Sequence, residues 1–220
     1  MHYLGGKHKI GPQIASYINS LPDLPYLEPF VGAGWVLQYI RKTDMLASDY
    51  HPDLILMWQA LQQGWIPPND IVEDEYNALK YAAPSALRSV AGFGCSYGGK
   101  WFGGYARGTN RNYALEAKCS LIDKICRMSP NVIFRWCDYA DHAPNDCIIY
   151  CDPPYEGTTK FHQSFSHKRF WNIMRKWSQN NIVLISEYQA PDDFKMVADW
   201  YIKSDICSKE RVEKLWRKND

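Results

Sequence analysis

No run of apolar residues in this 220-residue chain is long enough to cross a bilayer as a helix, which takes about 20. The start, Met1 to Ile10, carries His and Lys with no apolar segment behind them, so it offers no secretory signal. A cytoplasmic location is the expectation that follows. The seven cysteines (Cys95, Cys119, Cys126, Cys137, Cys147, Cys151 and Cys207) include no Cys-x-x-Cys pair, and no histidine stands at zinc-finger spacing. They read as reduced, small apolar residues, and no metal-ligand set is expected. Internal repeats and low-complexity segments are also lacking. The length suits one compact domain with a small inserted lobe.

Net charge is small, +1. A basic surface for nucleic acid must therefore be local. Acids are absent from Arg88 to Arg111, a stretch holding the cations Arg88, Lys100, Arg107 and Arg111. Aromatics are plentiful, with fifteen Tyr and nine Trp, which serve equally as core or as stacking platforms.

Strands and helices alternate at both ends of the chain. Tyr26 to Phe30 reads as a short buried strand entering the turn Val31 to Gly34, and Trp35 to Arg41 as the start of a helix. Met45 to Asp49 reads as a second strand. His51 to Gln63 reads as a helix with the apolar stripe Leu54, Met57, Trp58, Leu61. Pro67-Pro68 breaks the pattern. Ile71 to Tyr81 and Tyr113 to Arg127 read as helices. Between them, Gly92 to Asn112 is rich in Gly, aromatics and Arg, and reads as a loop or hairpin outside the core. Strands return at Val132 to Trp136, Cys147 to Cys151 and Ile182 to Ser186, with an amphipathic helix at Phe170 to Ser178. Continuous apolar strands separated by helices predict an α/β fold with a mostly parallel sheet covered on both faces. The lobe is expected at 64–130, between catalytic segments 1–63 and 131–220.

Four clusters carry chemistry. Asp152-Pro153-Pro154-Tyr155 follows the strand Cys147 to Cys151, at the strand end where open α/β sheets bind ligands. The prolines stiffen the loop and leave their carbonyls as free acceptors. Asp152 adds a carboxylate, and Tyr155 an aromatic face. Two acceptors on the two N–H bonds of an aromatic amine would restore its lone pair without prior deprotonation. Glu28-Pro29-Phe30-Val31-Gly32-Ala33-Gly34 places small residues between a strand and a helix, where a ligand can approach. The dinucleotide pattern is missing, because Leu37 occupies the third glycine position. A tight turn would use the same residues. Asp49 ends the next strand, suited to ribose hydroxyls or to capping the following helix. Tyr3-Leu4-Gly5-Gly6-Lys7 combines a yielding backbone with a cation able to pair with a carboxylate, or is a flexible terminus.

In this order the clusters resemble the Dam-like, D12-class, alpha-group DNA adenine-N6 methyltransferases. Cys137-Asp138-Tyr139 and Ile185-Ser186-Glu187-Tyr188 extend the resemblance over nearly the whole chain. It implies a Rossmann-like S-adenosylmethionine-dependent methyltransferase sheet with an inserted, mainly helical target-recognition lobe containing a hairpin. Tyr3, Gly5, Gly6, Lys7, Glu28, Pro29, Phe30, Gly32, Gly34, Asp49, Asp138, Tyr139 and Asp152 would bind S-adenosylmethionine. Asp152, Pro153, Pro154 and Tyr155 would receive an adenine flipped out of double-stranded DNA. Ser96-Tyr97-Gly98-Gly99 resembles the family's hairpin entry, so Tyr97, Lys100, Arg107 and Arg111 would touch DNA. No obligate protein partner and no membrane contact are implied. Cytosine N4, an RNA adenine, or a silent DNA-binding homologue remain alternatives. The recognition sequence and the biological role, whether restriction-modification, regulation or phage protection, stay open.

Overall fold

The computed structural model describes residues 1–157, 165–203 and 210–219. Cys207 lies outside them. Among the described residues no helix is long and apolar enough to cross a membrane.

The chain runs α1 (Gly11–Asn19), β1 (Tyr26–Glu28), β2 (Met45–Asp49), α2 (Pro52–Gln62), α3 (Glu73–Leu79), α4 (Ala86–Ser89) and α5 (Tyr113–Arg127). It continues through β3 (Ile133–Trp136), β4 (Ile148–Cys151), α6 (His167–Trp177), β5 (Ile182–Ser186), β6 (Phe194–Lys203) and β7 (Glu210–Lys218). The seven strands form one sheet in the order β3-β2-β1-β4-β5-β7-β6. The first five are parallel, and β7 is antiparallel to both β5 and β6. This is a doubly wound, Rossmann-like sheet, the architecture that the resemblance implied.

Alternation within β4 and β5 explains why both faces are covered. Ile148, Tyr150 and Leu184 join one hydrophobic cluster with α1, α2 and α5. Ile149, Cys151, Val183 and Ile185 join the other, under Phe170, Trp171, Met174 and Trp177 of α6. Burying each large α6 side chain contributes roughly 1.5–3 kcal/mol. Strand order reverses between β1, which runs on to β2, and β4, which runs on to β5. Ligands of open α/β sheets bind outside the carboxyl ends of strands at such a switch point. Here those ends release the glycine turn and the Asp152 loop.

Two expectations need correction. Trp35 to Arg41 is no α-helix; only Leu37–Tyr39 coils, as a single 3₁₀ turn. Ile40 is already extended, and the Asn19 side chain takes the Arg41 N–H that a longer helix would have used. The glycine turn therefore feeds no helix N-terminus able to hold an anion. Nor is all of Gly92 to Asn112 outside the core. Val90–Gly94 forms a buried π-helical turn. It can be buried because Gly92 has no Cβ, which would run into the Trp101 ring. The expected hairpin is a single antiparallel bridge, Ser96 to Tyr105. Residues Ile71, Tyr76, Phe93 and Leu121 from 64–130 share the cluster of Ile14 and Trp58. β6 and β7 were not expected at all.

Candidate active site

The glycine turn is held from three sides. Gly32 and Gly34 adopt left-handed φ of 47° and 64°. A Cβ on Gly32 would meet the Tyr3 ring at 3.0 Å, and one on Gly34 would meet Met128 and Trp58 at 2.7 and 2.8 Å. The buried Trp58 indole of α2 donates to the Gly32 carbonyl at 3.0 Å. Asp49, at the end of β2, accepts from the Gly32 and His51 N–H groups, both at 2.9 Å. Burial without a cation raises the Asp49 pKa to about 6, although those N–H donors oppose the rise. His51, not Asp49, is the N-cap residue of α2.

Lys7 crosses from the N-terminal strap to the end of β4. Its Nζ lies 2.7 Å from Asp152 Oδ1, 3.9 Å from Glu213 Oε2 and 4.5 Å from the centre of the Tyr155 ring. Burial pushes the Asp152 pKa up, with the Lys7 charge acting against it. The Tyr155 hydroxyl donates to Glu213 Oε2 at 2.8 Å, and Tyr188 meets the Tyr155 ring edge-on with centroids 4.7 Å apart. Glu187 accepts from the Glu156 N–H at 3.2 Å and so orders the chain leaving Tyr155. Glu28 lies beneath, fully buried, accepting from the Tyr26 hydroxyl at 2.7 Å. Burial lifts its pKa to about 8.

The expectation of two free proline carbonyls needs correction. The His167 ring, at the start of α6, stands 2.9 Å from the Pro154 carbonyl and occupies it when its Nε2 carries the proton. Among the described residues, no donor reaches the Pro153 carbonyl. On the far side, Tyr139 packs against Phe30 with centroids 5.1 Å apart, and Asp138 accepts from the Ala140 N–H at 2.8 Å. Glu187 and Glu213 were not among the expected site residues. Glu213 carries no local motif and comes from a strand that was itself missed.

Residues 3–87 match the model of the D12 class N6 adenine-specific DNA methyltransferase family. Over that stretch the chain is similar to the D12 class. It is 25% identical over 183 residues to "DNA adenine methylase" of two strains of Vibrio cholerae serotype O1, Classical Ogawa and El Tor Inaba. That alignment takes in 70% of this chain and 64% of each relative, so the match spans under two thirds of their length. Among solved structures, a "putative RNA methyltransferase" from Pyrococcus horikoshii is 7% identical, with coverage of 94% and 79% and a TM-score of 0.44. The rRNA methyltransferase aviRa of Streptomyces viridochromogenes is 14% identical, with coverage of 99% and 86% and a TM-score of 0.41. The fold assignment rests on the strand order instead.

The Dam-like expectations for the DNA side fare unevenly. Tyr97 stands 78% exposed on a tight turn, with Gly98 and Gly99 at φ of 64° and 68°. That turn is tied to the strap, since the Leu4 N–H donates to the Gly99 carbonyl at 3.1 Å. The local excess of positive charge, however, is largely cancelled. Arg88 pairs with Asp53, Arg107 with Glu73, and Arg111 with Glu116. The segment lacks acids, but the fold brings them from outside it. Only Lys100 of the four has no ion pair among the described residues.

Proposed function

We propose that the chain methylates the N6 amino group of adenine in double-stranded DNA, with S-adenosylmethionine as methyl donor. The observation that carries this reading is the Asp152 loop at the switch point, with one carboxylate and a Pro153 carbonyl that no described residue claims, beside an aromatic ring. The same reading assigns 64–130 to target recognition and 1–63 with 131–220 to catalysis. It also puts the protein where cellular DNA is, in the cytoplasm of a bacterium or of a phage's host.

The residues present fit the donor. The glycine turn lets the Tyr3 ring of the strap lie directly on its backbone, where a Cβ on Gly32 would crowd it. The Asp49 carboxylate, raised in pKa by burial, gains from hydroxyl donors such as those of a ribose. Tyr3, Gly5, Gly6 and Lys7 would close over it from the strap, with Glu28, Pro29 and Phe30 below and Asp138 and Tyr139 beside its base. Asp152 and Glu213 share the cation Lys7, and Asp49 adds a carboxylate with no cation among its partners, a balance that suits a cationic ligand. When bound, S-adenosylmethionine supplies a methyl group made electrophilic by its sulfonium.

The chain's own part is positioning and polarisation. Unpairing the adenine costs a few kcal/mol, offset by stacking on Tyr155 worth about 1–3 kcal/mol. Asp152 and the Pro153 carbonyl accept the two N6–H bonds and pull the nitrogen lone pair out of the ring. Once the nitrogen carries the methyl group, it has one proton too many. The Asp152 carboxylate takes that proton and releases it to solvent.

The test is transfer of labelled methyl from S-adenosylmethionine to unmethylated genomic DNA, followed by nucleoside digestion and mass spectrometry. N6-methyladenine is expected. N4-methylcytosine, or label only in RNA, would replace the substrate. Absence of any methylated base would overturn the reading.

A further inference from the structure

Lys7 occupies a place that another group needs. Its ammonium hydrogen-bonds Asp152 and lies over the Tyr155 ring. On the reading above, these two groups receive the target amine. A nitrogen with N–H donors on Asp152, beside that ring, stands in for the adenine N6 nitrogen as it becomes positive. The amine and Lys7 cannot share that point, so Lys7 must shift when the base arrives. Its side chain is only 7% exposed, and a buried charge moved without a partner is costly. Among the described residues, the one other carboxylate within 4.0 Å of it is Glu213, at 3.9 Å. A movement of about 1 Å would bring that contact to hydrogen-bond length.

We infer that Glu213 is a positioning residue for the methyl transfer: it is the second seat of Lys7, drawing the ammonium off Asp152 so that Asp152 can take the target amine. Glu213 is built for a fixed position. It is 8% exposed, pairs across the sheet with Trp200, and shares its strand face with the fully buried Leu215. Its Oε2 also accepts the Tyr155 hydroxyl, so a movement of Lys7 is sensed at the ring beneath the base. Nothing in the local sequence around Glu213 announces this. Its relation to Lys7 exists only because β7 inserts beside β5.

The inference rests on the proposed methyl transfer, and its test separates the two. Wild-type transfer to DNA is measured first, and its absence would overturn both. With wild type active, Glu213→Gln keeps an oxygen for the Tyr155 hydroxyl but removes the charge that Lys7 needs. We expect kcat to fall at least tenfold, with KM for DNA and Kd for S-adenosylmethionine changed less than threefold. Glu213→Asp, which retains the charge, should recover part of the loss and guards against a Gln variant that fails to fold. In a Lys7→Met background the Glu213→Gln effect should vanish, because its partner is gone. Unchanged kcat in Glu213→Gln overturns the inference, as do losses that simply multiply with Lys7→Met. So does a Tyr155→Phe variant that absorbs the whole Glu213→Gln effect, since Glu213 would then act only through the hydroxyl.

Discussion

The strand-end site and the 64–130 face both consist of basic side chains against carboxylates, yet the two do different things with them. At the site, Lys7, Asp152 and Glu213 come from three distant parts of the chain and are each less than a fifth exposed. Water screens them little, so each arrangement of the ammonium among its acceptors is energetically distinct. On the face, Arg107 is 71% exposed beside Glu73, and Arg111 is 46% exposed beside Glu116. Exposed pairs of this kind are worth roughly 0–1 kcal/mol. They are weak enough to be exchanged for a phosphate. The same chemistry therefore makes a device with discrete states where it is buried, and an adaptable surface where it is wet.

The sharpest way to break the contrast is at Asp152. Asp152→Ala should lower kcat by about 10³-fold or more, since it removes both polarisation and the proton acceptor. The melting temperature and circular dichroism should stay near native. A folded variant with near-native transfer would end the mechanism. The next test concerns the buried exception on the other side. Asp53, 1% exposed at the start of α2, holds Arg88 at 2.8 Å and the Ser85 N–H at 2.9 Å. Asp53→Ala should cost about 3–5 kcal/mol of stability in denaturant unfolding, because it strands a largely buried guanidinium. A loss under 1 kcal/mol would show that 64–130 is fastened by apolar packing alone.

How much of this could be read beforehand depended on whether the signal was local. β2, β5 and α5 were readable to the residue, because unbroken apolar runs and a 3.6-residue period need no partner to be recognised. So was the place of the Asp152 loop, four adjacent residues directly after an apolar strand. β6 and β7 were not. In β7, Val212, Leu215 and Trp216 are scattered among Glu210, Arg211, Glu213, Lys214, Arg217 and Lys218, and neither period emerges. The strand is specified by pairing with β5 and β6, not by its own pattern. Glu213 was lost with it. The arginine pairs were missed for a related reason: counting charge along 88–111 cannot see Glu73, Glu116 or Asp53 arriving from elsewhere.

Glu28 tests what the buried side of the contrast costs. It has no cation beside it, and burial raises its pKa from 4.5 to about 8. The folded protein thus binds this proton more tightly than the unfolded chain does. Its stability is least affected below about pH 4.5 and declines as pH rises toward 8. Glu28→Gln should flatten that decline and stabilise the protein by up to about 3 kcal/mol at pH 8, while binding S-adenosylmethionine less well. Urea midpoints across this pH window would show it. A variant with the wild-type pH slope would mean that the buried carboxyl contributes nothing to it.

The smallest effect is expected on the exposed side, and there its sign matters more than its size. If Arg107 and Arg111 reach DNA, Glu73 and Glu116 compete with phosphate for them. Glu73→Gln with Glu116→Gln should then tighten DNA binding a few-fold and steepen its salt dependence, since more phosphates are neutralised per complex. Arg107→Ala and Arg111→Ala should weaken binding by a similar factor, with little change in Kd for S-adenosylmethionine. Lys100→Ala, which removes a cation with no ion pair among the described residues, should reduce the salt slope by about one. Titrations at several salt concentrations resolve all three. If removing the acids leaves binding unchanged and removing the arginines does too, the pairs merely brace the surface. The DNA would then have to be read by Tyr97 and its glycine turn, which hang directly from the strap that carries Lys7.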